Sequence, residues 1–538
     1  MTTTATVVRT PLRARASSPK RPPVLLLLVA VLVAMAALIP IVYLALRALD
    51  GGTEAAAPLF RPRTLELIAS TATLGMAVIV GSVGLGLPLA WLTVRTDLPA
   101  RRAWSIMAIA PLAVPSYLLA FAFVGAFAPR GWVAALLAPL GIEHVPSVYG
   151  FGGAVLVLSL ATMPYVVIAA RAALVRLDPA TEEAARSLGD GPWAAVRASV
   201  MPVLVPAVGA GALLACLYAI SDFGAVSILR YDTLATAIYS QYRFSFDRSG
   251  AAVLALLLLG LALLLVWAEG RVRRRAALAT PHGRRRVTRI VPLGRWRWPA
   301  LVFSGAVVAL ALGVPVVTIV LWLVGPVGGS QAVSLGLQAL RSSLLIAFGA
   351  AALAVALAVP LAWLITHFPG RASTLTERLL YAIYAIPGIS LALAVVTFTL
   401  NAAPLLYQTI FALVLAITLR YLVQAVGALR GPTLQVSPRT LEAARSMGEG
   451  AVGVLRTITL PLLRPGLVGA AMLVFLSALK ELPLTLLLAP PGTSTLATEL
   501  WDAAREAFYA KAAIPAAVLL VVSFASVAVL VRRGEVEA

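Results

Sequence analysis

Runs of about 20 consecutive apolar residues, each long enough to cross the hydrocarbon core of a bilayer as a helix, recur along the whole 538-residue chain. With 61% hydrophobic and only 12% charged residues, the chain carries too much apolar surface for a soluble core. In lipid every backbone N–H and C=O must find its partner within its own segment, which leaves helices or a closed barrel. The two-residue alternation of a barrel strand is absent. The expectation is therefore an all-α polytopic membrane protein. Twelve spans are predicted, at 24–46, 66–92, 104–127, 151–170, 203–224, 251–268, 300–324, 343–364, 379–400, 409–429, 465–482 and 512–531.

The net charge of +21 is placed as a topology signal. Arg9, Arg13, Arg15, Lys20 and Arg21 precede the first span, and a second acid-free basic block, Arg271 to Arg297, separates spans six and seven. The intervening loops mix signs, as in Asp50, Glu54, Arg61 and Arg63, or Asp232, Arg243, Asp247 and Arg248. The positive-inside rule then puts both termini in the cytoplasm, and nucleic acid is not an expected partner. Residues 1–23 form a basic arm before a retained first span, because the apolar run is long and no small-residue cleavage site clearly follows it. Cys216 is the only cysteine, which rules out an intramolecular disulfide or a thiolate metal cluster.

The chain also repeats itself. Asp178-Pro-Ala-Thr-Glu-Glu-Ala-Ala-Arg-Ser-Leu-Gly189 returns as Ser437-Pro-Arg-Thr-Leu-Glu-Ala-Ala-Arg-Ser-Met-Gly448, and Pro202 as Pro461, all at an offset of 259. Pro88-Leu-Ala-Trp-Leu92 returns as Pro360-Leu-Ala-Trp-Leu364, and Pro115 as Pro387, at an offset of 272. The longer connection at 128–150, against 401–408, absorbs the difference. This predicts two six-helix halves in the same orientation, a parallel repeat. The first half covers 24–268 with a polar loop at 171–202. A linker at 269–299, a candidate contact for anionic lipid, leads to the second half at 300–531, with its loop at 430–461 and a tail at 532–538.

Each repeated loop reads as a short helix. Asp178 or Ser437 serves as N-cap and Pro179 or Pro438 as first helical residue. Glu182 and Glu183 sit in the early turns, where the helix dipole favours acids, and Gly189 or Gly448 supplies the left-handed terminus. A helix of roughly ten residues is marginal alone, and two copies in register point to a surface on which each one lies.

These residues resemble the cytoplasmic signature of ABC importer permeases: Glu-Ala-Ala, three residues, Gly, nine residues, then Ile-x-Leu-Pro. The second copy is complete in Glu442, Ala443, Ala444, Gly448, Ile458, Leu460 and Pro461. The first keeps Glu183, Ala184, Ala185, Gly189 and Pro202, with Ser199 and Met201 at the aliphatic positions. The resemblance implies a type I importer fold in a bacterial inner membrane, with each loop forming a coupling helix that seats on one of two ABC ATPase subunits. It also implies an extracytoplasmic binding protein that delivers substrate. A phosphate-binding loop needs a lysine in a glycine-rich context, and Lys20, Lys480 and Lys511 lack it. The chain is therefore not expected to be an enzyme or to bind a cofactor itself, ATP-Mg being left to the partner subunits. His144, His282 and His367 lie in three separate loops, and no metal site is assigned.

Beyond each loop a span ends in a polar kink, Ser221-Asp222-Phe223-Gly224-Ala225 in one half and Lys480-Glu481-Leu482-Pro483 in the other. Asp222 and Glu481 share the 259 offset and lie some 30 Å beyond the loop prolines at 1.5 Å per residue. They are expected toward the outer end of the membrane, flanking a path that would favour a cation or standing as solvated helix ends. Arg420, roughly 15 Å inside span ten, should pair with an acid or a carbonyl within the bundle; the first half has Ala161 there. The kink motifs, Arg230-Tyr231-Asp232-Thr233 and the fused layout resemble ferric-iron importer permeases, with Ala489 where an arginine would be expected. Thiamine, polyamine and phosphonate permeases share the architecture. The rival of another class, a gradient-driven secondary transporter, would need ionisable relays at mid-membrane, where Arg420 stands alone. A membrane-embedded enzyme would need a convergent set of His, Asp or Cys that the spans lack.

Overall fold

The structure, a computed structural model, describes residues 22–50, 61–141, 145–175, 177, 179–245, 248–279, 290–324, 330–506 and 508–532. Most of the basic arm, the middle of the linker, the tail beyond 532, the N-cap Asp178, and Glu54, His144, Asp247 and His282 lie outside the described residues. Apart from an isolated parallel bridge between Thr96 and Val291, the described secondary structure is helical.

The first set of helices begins with α1 (Val24–Asp50) and α2 (Pro62–Arg95). Next comes α3 (Arg101–Ile109), which tightens into a 3-10 turn and breaks at Pro115 before α4 (Ser116–Ala126). The long connection that follows holds α5 (Trp132–Leu137) and leads to α6 (Phe151–Val175). The repeated loop folds as α7 (Pro179–Ser187) and α8 (Pro192–Ser199). Then come α9 (Met201–Ser221), α10 (Gly224–Ile228), α11 (Leu234–Arg243) and α12 (Arg248–Ala279).

The second set repeats this order. Its first span is α13 (Arg297–Val308) joined through a π-turn to α14 (Val314–Val324), followed by α15 (Ser330–His367). The bent pair is α16 (Arg371–Ala385) and α17 (Gly388–Ala402), and α18 (Ile410–Gln435) precedes the second loop. That loop is α19 (Pro438–Ser446) and α20 (Ala451–Val454), from which a π-turn leads into α21 (Leu460–Leu479). The chain closes with α22 (Pro483–Leu488), α23 (Leu496–Arg505) and α24 (Tyr509–Arg532).

Among the described residues, 9 helices are long and apolar enough to cross a bilayer, or 11 if each bent pair is one span. The last predicted span, 512–531, falls within the 24-residue helix α24, of which Lys511–Ala525 is counted as a shorter apolar helix among the described residues, so the expected count of twelve is approached and not confirmed. The third and ninth spans also differ from straight rods, since they bend by 98° and 101° at their breaks. Pro115 and Pro387 cause this: neither has an N–H to continue the ladder, and each disfavours a helical residue before it. Val114 and Ile386 are accordingly extended.

Within each set three helices form the core: α2, α6 and α9 in the first, α15, α18 and α21 in the second. Glycines let their backbones close up, as small residues do in membrane bundles. A Cβ at Gly86 would fall 2.8 Å from the Met163 carbonyl oxygen, and one at Gly466 would fall 2.7 Å from Pro432 Cγ. The first span of each set crosses over to the other set. Helix α1 lies along α17, while α14 lies along α4, where Phe121 packs on Trp322 at 4.9 Å and on Tyr509 at 5.3 Å. The insertion that lengthens the first set is tied to the second, because Trp132 Nε1 donates to Thr318 Oγ1 at 2.9 Å. Replacing Gly86 by Leu should force α2 off α6 and cost about 1–3 kcal/mol, as overpacking does. The expected readout is a lower thermal midpoint in detergent, with Gly84→Leu, where a Cβ meets nothing within 4 Å, as the neutral control.

Candidate functional site

The loop helices end as their sequence dictates. Gly189 and Gly448 take φ of 95° and 92°, a left-handed conformation costly for other residues. The N–H groups of Asp190 and Glu449 reach back to the carbonyls of Ala185 and Ala444, both at 3.1 Å, closing the terminus. Glu183, Ala184, Glu442 and Ala443 are exposed, Ala185 is half-buried, and Ala444 is buried. The residue before each glycine is the most conspicuous: Leu188 is 88% exposed and Met447 78%. Reading the acids and alanines alone missed this apolar pair, although its place in the repeat was available. Pro202 and Pro461 occupy the first turns of α9 and α21, where a missing N–H costs nothing. Ile458 sits in the π-turn feeding α21, and Leu460 opens that helix.

Glu182 has a different fate from its neighbour. It is buried and accepts a charge-assisted hydrogen bond from Arg95, the last residue of α2, itself 1% exposed. Arg186, one turn on, donates to its other oxygen at 3.0 Å. Arg95 also lies over Trp91, 5.5 Å from the ring centroid. The second set keeps the plan but not the charge. Trp363 stacks on His367 at 4.1 Å, and the His367 Nε2 lies 3.1 Å from the Val436 carbonyl oxygen at the start of the loop. Leu441 stands where Glu182 does.

The two polar kinks and the two proline breaks converge on one cavity of about 190 Å³. Its wall includes Asp222, Glu481 and Arg420, so the structure brings together the three residues singled out in the spans. Asp222 caps the break between α9 and α10, accepting from Ser116 Oγ and, at 2.8 Å, from the Ala225 N–H. Glu481 does the same between α21 and α22, accepting from Tyr421 Oη, with Arg420 Nε at 3.9 Å. Arg420 thus has the acidic neighbour expected of it. The acids cap helix breaks on an internal cavity; they are not solvated helix ends.

Lys480, not singled out from the sequence, reaches across the sets and donates to the Leu112 carbonyl oxygen at 2.8 Å. That carbonyl is free because the residue three further on is Pro115. The cavity is thus lined by two acidic side chains, Asp222 and Glu481, and two basic ones, Lys480 and Arg420. Among the described residues no group of three or more His, Cys, Asp or Glu could hold a metal ion.

A family model described as binding-protein-dependent transport system inner membrane component matches residues 67–277 and 354–534, one match in each set of helices. The chain belongs to that family. It is similar to the Fe(3+)-transport system permease protein FbpB 2 of Haemophilus influenzae, with 34% identity over 94% of this chain and 97% of that one. The molybdenum transport permease ModB of Escherichia coli aligns over 38% of this chain and 90% of its own length at 28% identity. A probable sulfate transport permease of Chlorokybus atmophyticus, also 28% identical, aligns over 34% of this chain and 64% of its own.

In this permease the Arg95–Glu182 pair fixes one loop helix to a membrane-spanning helix. Arg95→Met would leave Glu182 with only the partly exposed Arg186, at a cost of about 3 kcal/mol for stranding a buried charge. Adding Glu182→Leu, which copies Leu441, should restore most of the thermal stability. If the double variant melts as low as the single one, the pair is not what holds α7.

Proposed function

We propose that this permease forms the translocation path of an ATP-driven importer for ferric iron delivered by an extracytoplasmic binding protein. The observation that carries the substrate is the 34% identity to an Fe(3+)-transport permease across 94% of the chain. Helices α7 and α19 act as its coupling helices, each seated on one copy of a separate ABC ATPase that binds ATP-Mg. Support comes from their form. A nine-residue helix with an exposed acid, an exposed alanine and an exposed Leu188 or Met447 offers a small apolar knob with a charged rim. Such a patch is better covered than left in water.

In this reading the loops face the cytoplasm with both termini, and closure of the ATPases on ATP draws the two coupling helices together. Because α9 and α21 follow directly from the loops, this motion reaches the kinks at Asp222 and Glu481 and opens the cavity outward. Hydrolysis resets it. The chain supplies no step of ATP chemistry.

Cells carrying the full importer should accumulate ⁵⁵Fe³⁺ after collapse of the proton and sodium gradients and stop on ATP depletion. Uptake that follows the gradients instead would point to a secondary transporter. Glu183→Arg or Glu442→Arg, and independently Leu188→Asp or Met447→Asp, should reduce co-purification of the ATPase at least tenfold while leaving the permease in the membrane. Unchanged ATPase recovery in all four variants would remove the docking role.

A further inference from the structure

The stretch of linker that enters the second set is strapped to the end of α2. The Val291 N–H donates to the Arg95 carbonyl oxygen at 2.7 Å, and the Leu293 N–H donates to Asp97 Oδ1 at 2.8 Å. Thr96 and Val291 form the parallel bridge between them. Two basic segments are thereby brought to one corner. Arg295 and Arg297 follow Leu293, in the 3-10 turn Gly294–Trp296 and at the start of α13. Arg101 and Arg102 follow Asp97 and open α3. Helix α13 lies against both α2 and α3, and a Cβ at Gly305 would fall 3.9 Å from the Trp104 ring.

Nothing described in the protein compensates this charge. All four arginines are exposed, and among the described residues none forms an ion pair. The first turn of a helix disfavours cations, so Arg101 and Arg102 do not serve the stability of α3. At the offset of 272 the second set has Ser373 and Thr374 in their place. The neighbouring side chains show what the corner faces. Trp298 is 73% exposed, and Val302, one turn on along the same face of α13, is 70% exposed. On α3 the exposed Arg102 is likewise followed one turn on by the exposed Ile106. Two neighbouring spans thus carry an apolar residue one turn deeper than a tryptophan or an arginine. That is the order of a membrane boundary, with hydrocarbon against Val302 and Ile106 and headgroups against Trp298 and Arg102.

We propose that this corner docks anionic phospholipid of the leaflet on the side of the loop helices, and that the docked lipid braces α7. The occupant follows from charge, since unpaired guanidinium groups beside interfacial tryptophans complement phosphate-bearing headgroups. The link to α7 is one residue long. Arg95 holds the strap through its carbonyl and holds Glu182 through its side chain. Lipid that restrains residues 291–297 therefore restrains the residue that grips α7. The second loop helix, α19, has Leu441 in place of Glu182 and stays outside this linkage. Neither part depends on which cargo is carried.

Full-length protein in detergent, mixed with equimolar [¹⁴C]phosphatidylglycerol and [³H]phosphatidylcholine and passed down a sizing column, should retain phosphatidylglycerol in excess. An arginine at an anionic surface is worth about fivefold. Arg101→Gln/Arg102→Gln/Arg295→Gln/Arg297→Gln should therefore cut that excess by about tenfold or more. Lysine at the same four positions keeps the charge and should keep most of the excess, which separates lost charge from lost fold. Arg371→Gln/Arg378→Gln, at exposed arginines of α16, should change it little. In nanodiscs, amide exchange across α7 should slow by about threefold when phosphatidylglycerol is added to phosphatidylcholine, with α19 unaffected and the slowing lost in the glutamine variant. Equal retention of the two lipids by the wild type would overturn the proposal. An equal loss in the α16 pair would do the same, by making the preference a property of the whole basic rim. Exchange in α7 that ignores phosphatidylglycerol would end the bracing role. If the glutamine variant instead loses the ATPase in lipid-free detergent, the corner is a protein-docking face and the lipid proposal fails. Absent cellular ⁵⁵Fe³⁺ uptake with the lipid results intact would sink the iron reading alone.

Discussion

A backbone carbonyl that loses its helical partner inside a bilayer has to be given another, because hydrocarbon offers none. Pro115 and Pro387 interrupt two spans and so create such groups in matched places. The breaks are therefore confined to the protein interior, and the rest of the bundle is arranged to cover them. Lys480 takes the Leu112 carbonyl from across the sets. Asp222 and Glu481 cap the N-termini of the short helices that follow the facing breaks, where the dipole favours an anion. The cavity is the space these irregular segments enclose, which is why nearly all of its charge is found there.

The crossing of α1 and α14 follows from the same need. A bent pair such as α3–α4 or α16–α17 cannot present a complete apolar flank, and the first span of the other set lies against it. The Ser390 hydroxyl, which donates to the Ala255 carbonyl oxygen at 3.2 Å, adds a polar tie between α17 and α12 at this boundary. The two sets thereby become one packed body around the cavity.

Much of this was legible in the sequence, for physical reasons that differ by feature. Spans are set by length and apolarity, so α6, α9, α18 and α21 were found close to their places. The loop helices were legible because caps and glycines act locally, and Gly189 and Gly448 adopt the backbone expected of them. The bends at Pro115 and Pro387 were not read as bends, since a proline within an apolar run also fits a kinked but continuous span, as Pro88 and Pro164 show. Glu182 was read only as a favourable first-turn acid because its partner, Arg95, is remote in sequence, and nothing local announces such a pair. Lys480 was quoted in a motif but given no role, because the carbonyl it binds belongs to the other set.

The departures from symmetry are as informative as the repeat. Arg95, Glu182 and Arg186 tie the first loop helix to α2 with charge, whereas His367 only approaches a carbonyl at the start of the second loop. The Val291 N–H donates to the Arg95 carbonyl oxygen at 2.7 Å, and the Leu293 N–H donates to Asp97 at 2.8 Å. The end of the linker therefore seats on the same corner that grips α7. A fused chain can differentiate its halves in this way because each position exists once and can change without its counterpart. The central cavity uses the same freedom, with Ser116 facing Asp222 on one side and Gly388 making room for Arg420 on the other. A symmetric pair of chains would have to place the arginine twice. Two such cations beside two carboxylates already engaged by hydrogen bonds would crowd the cavity.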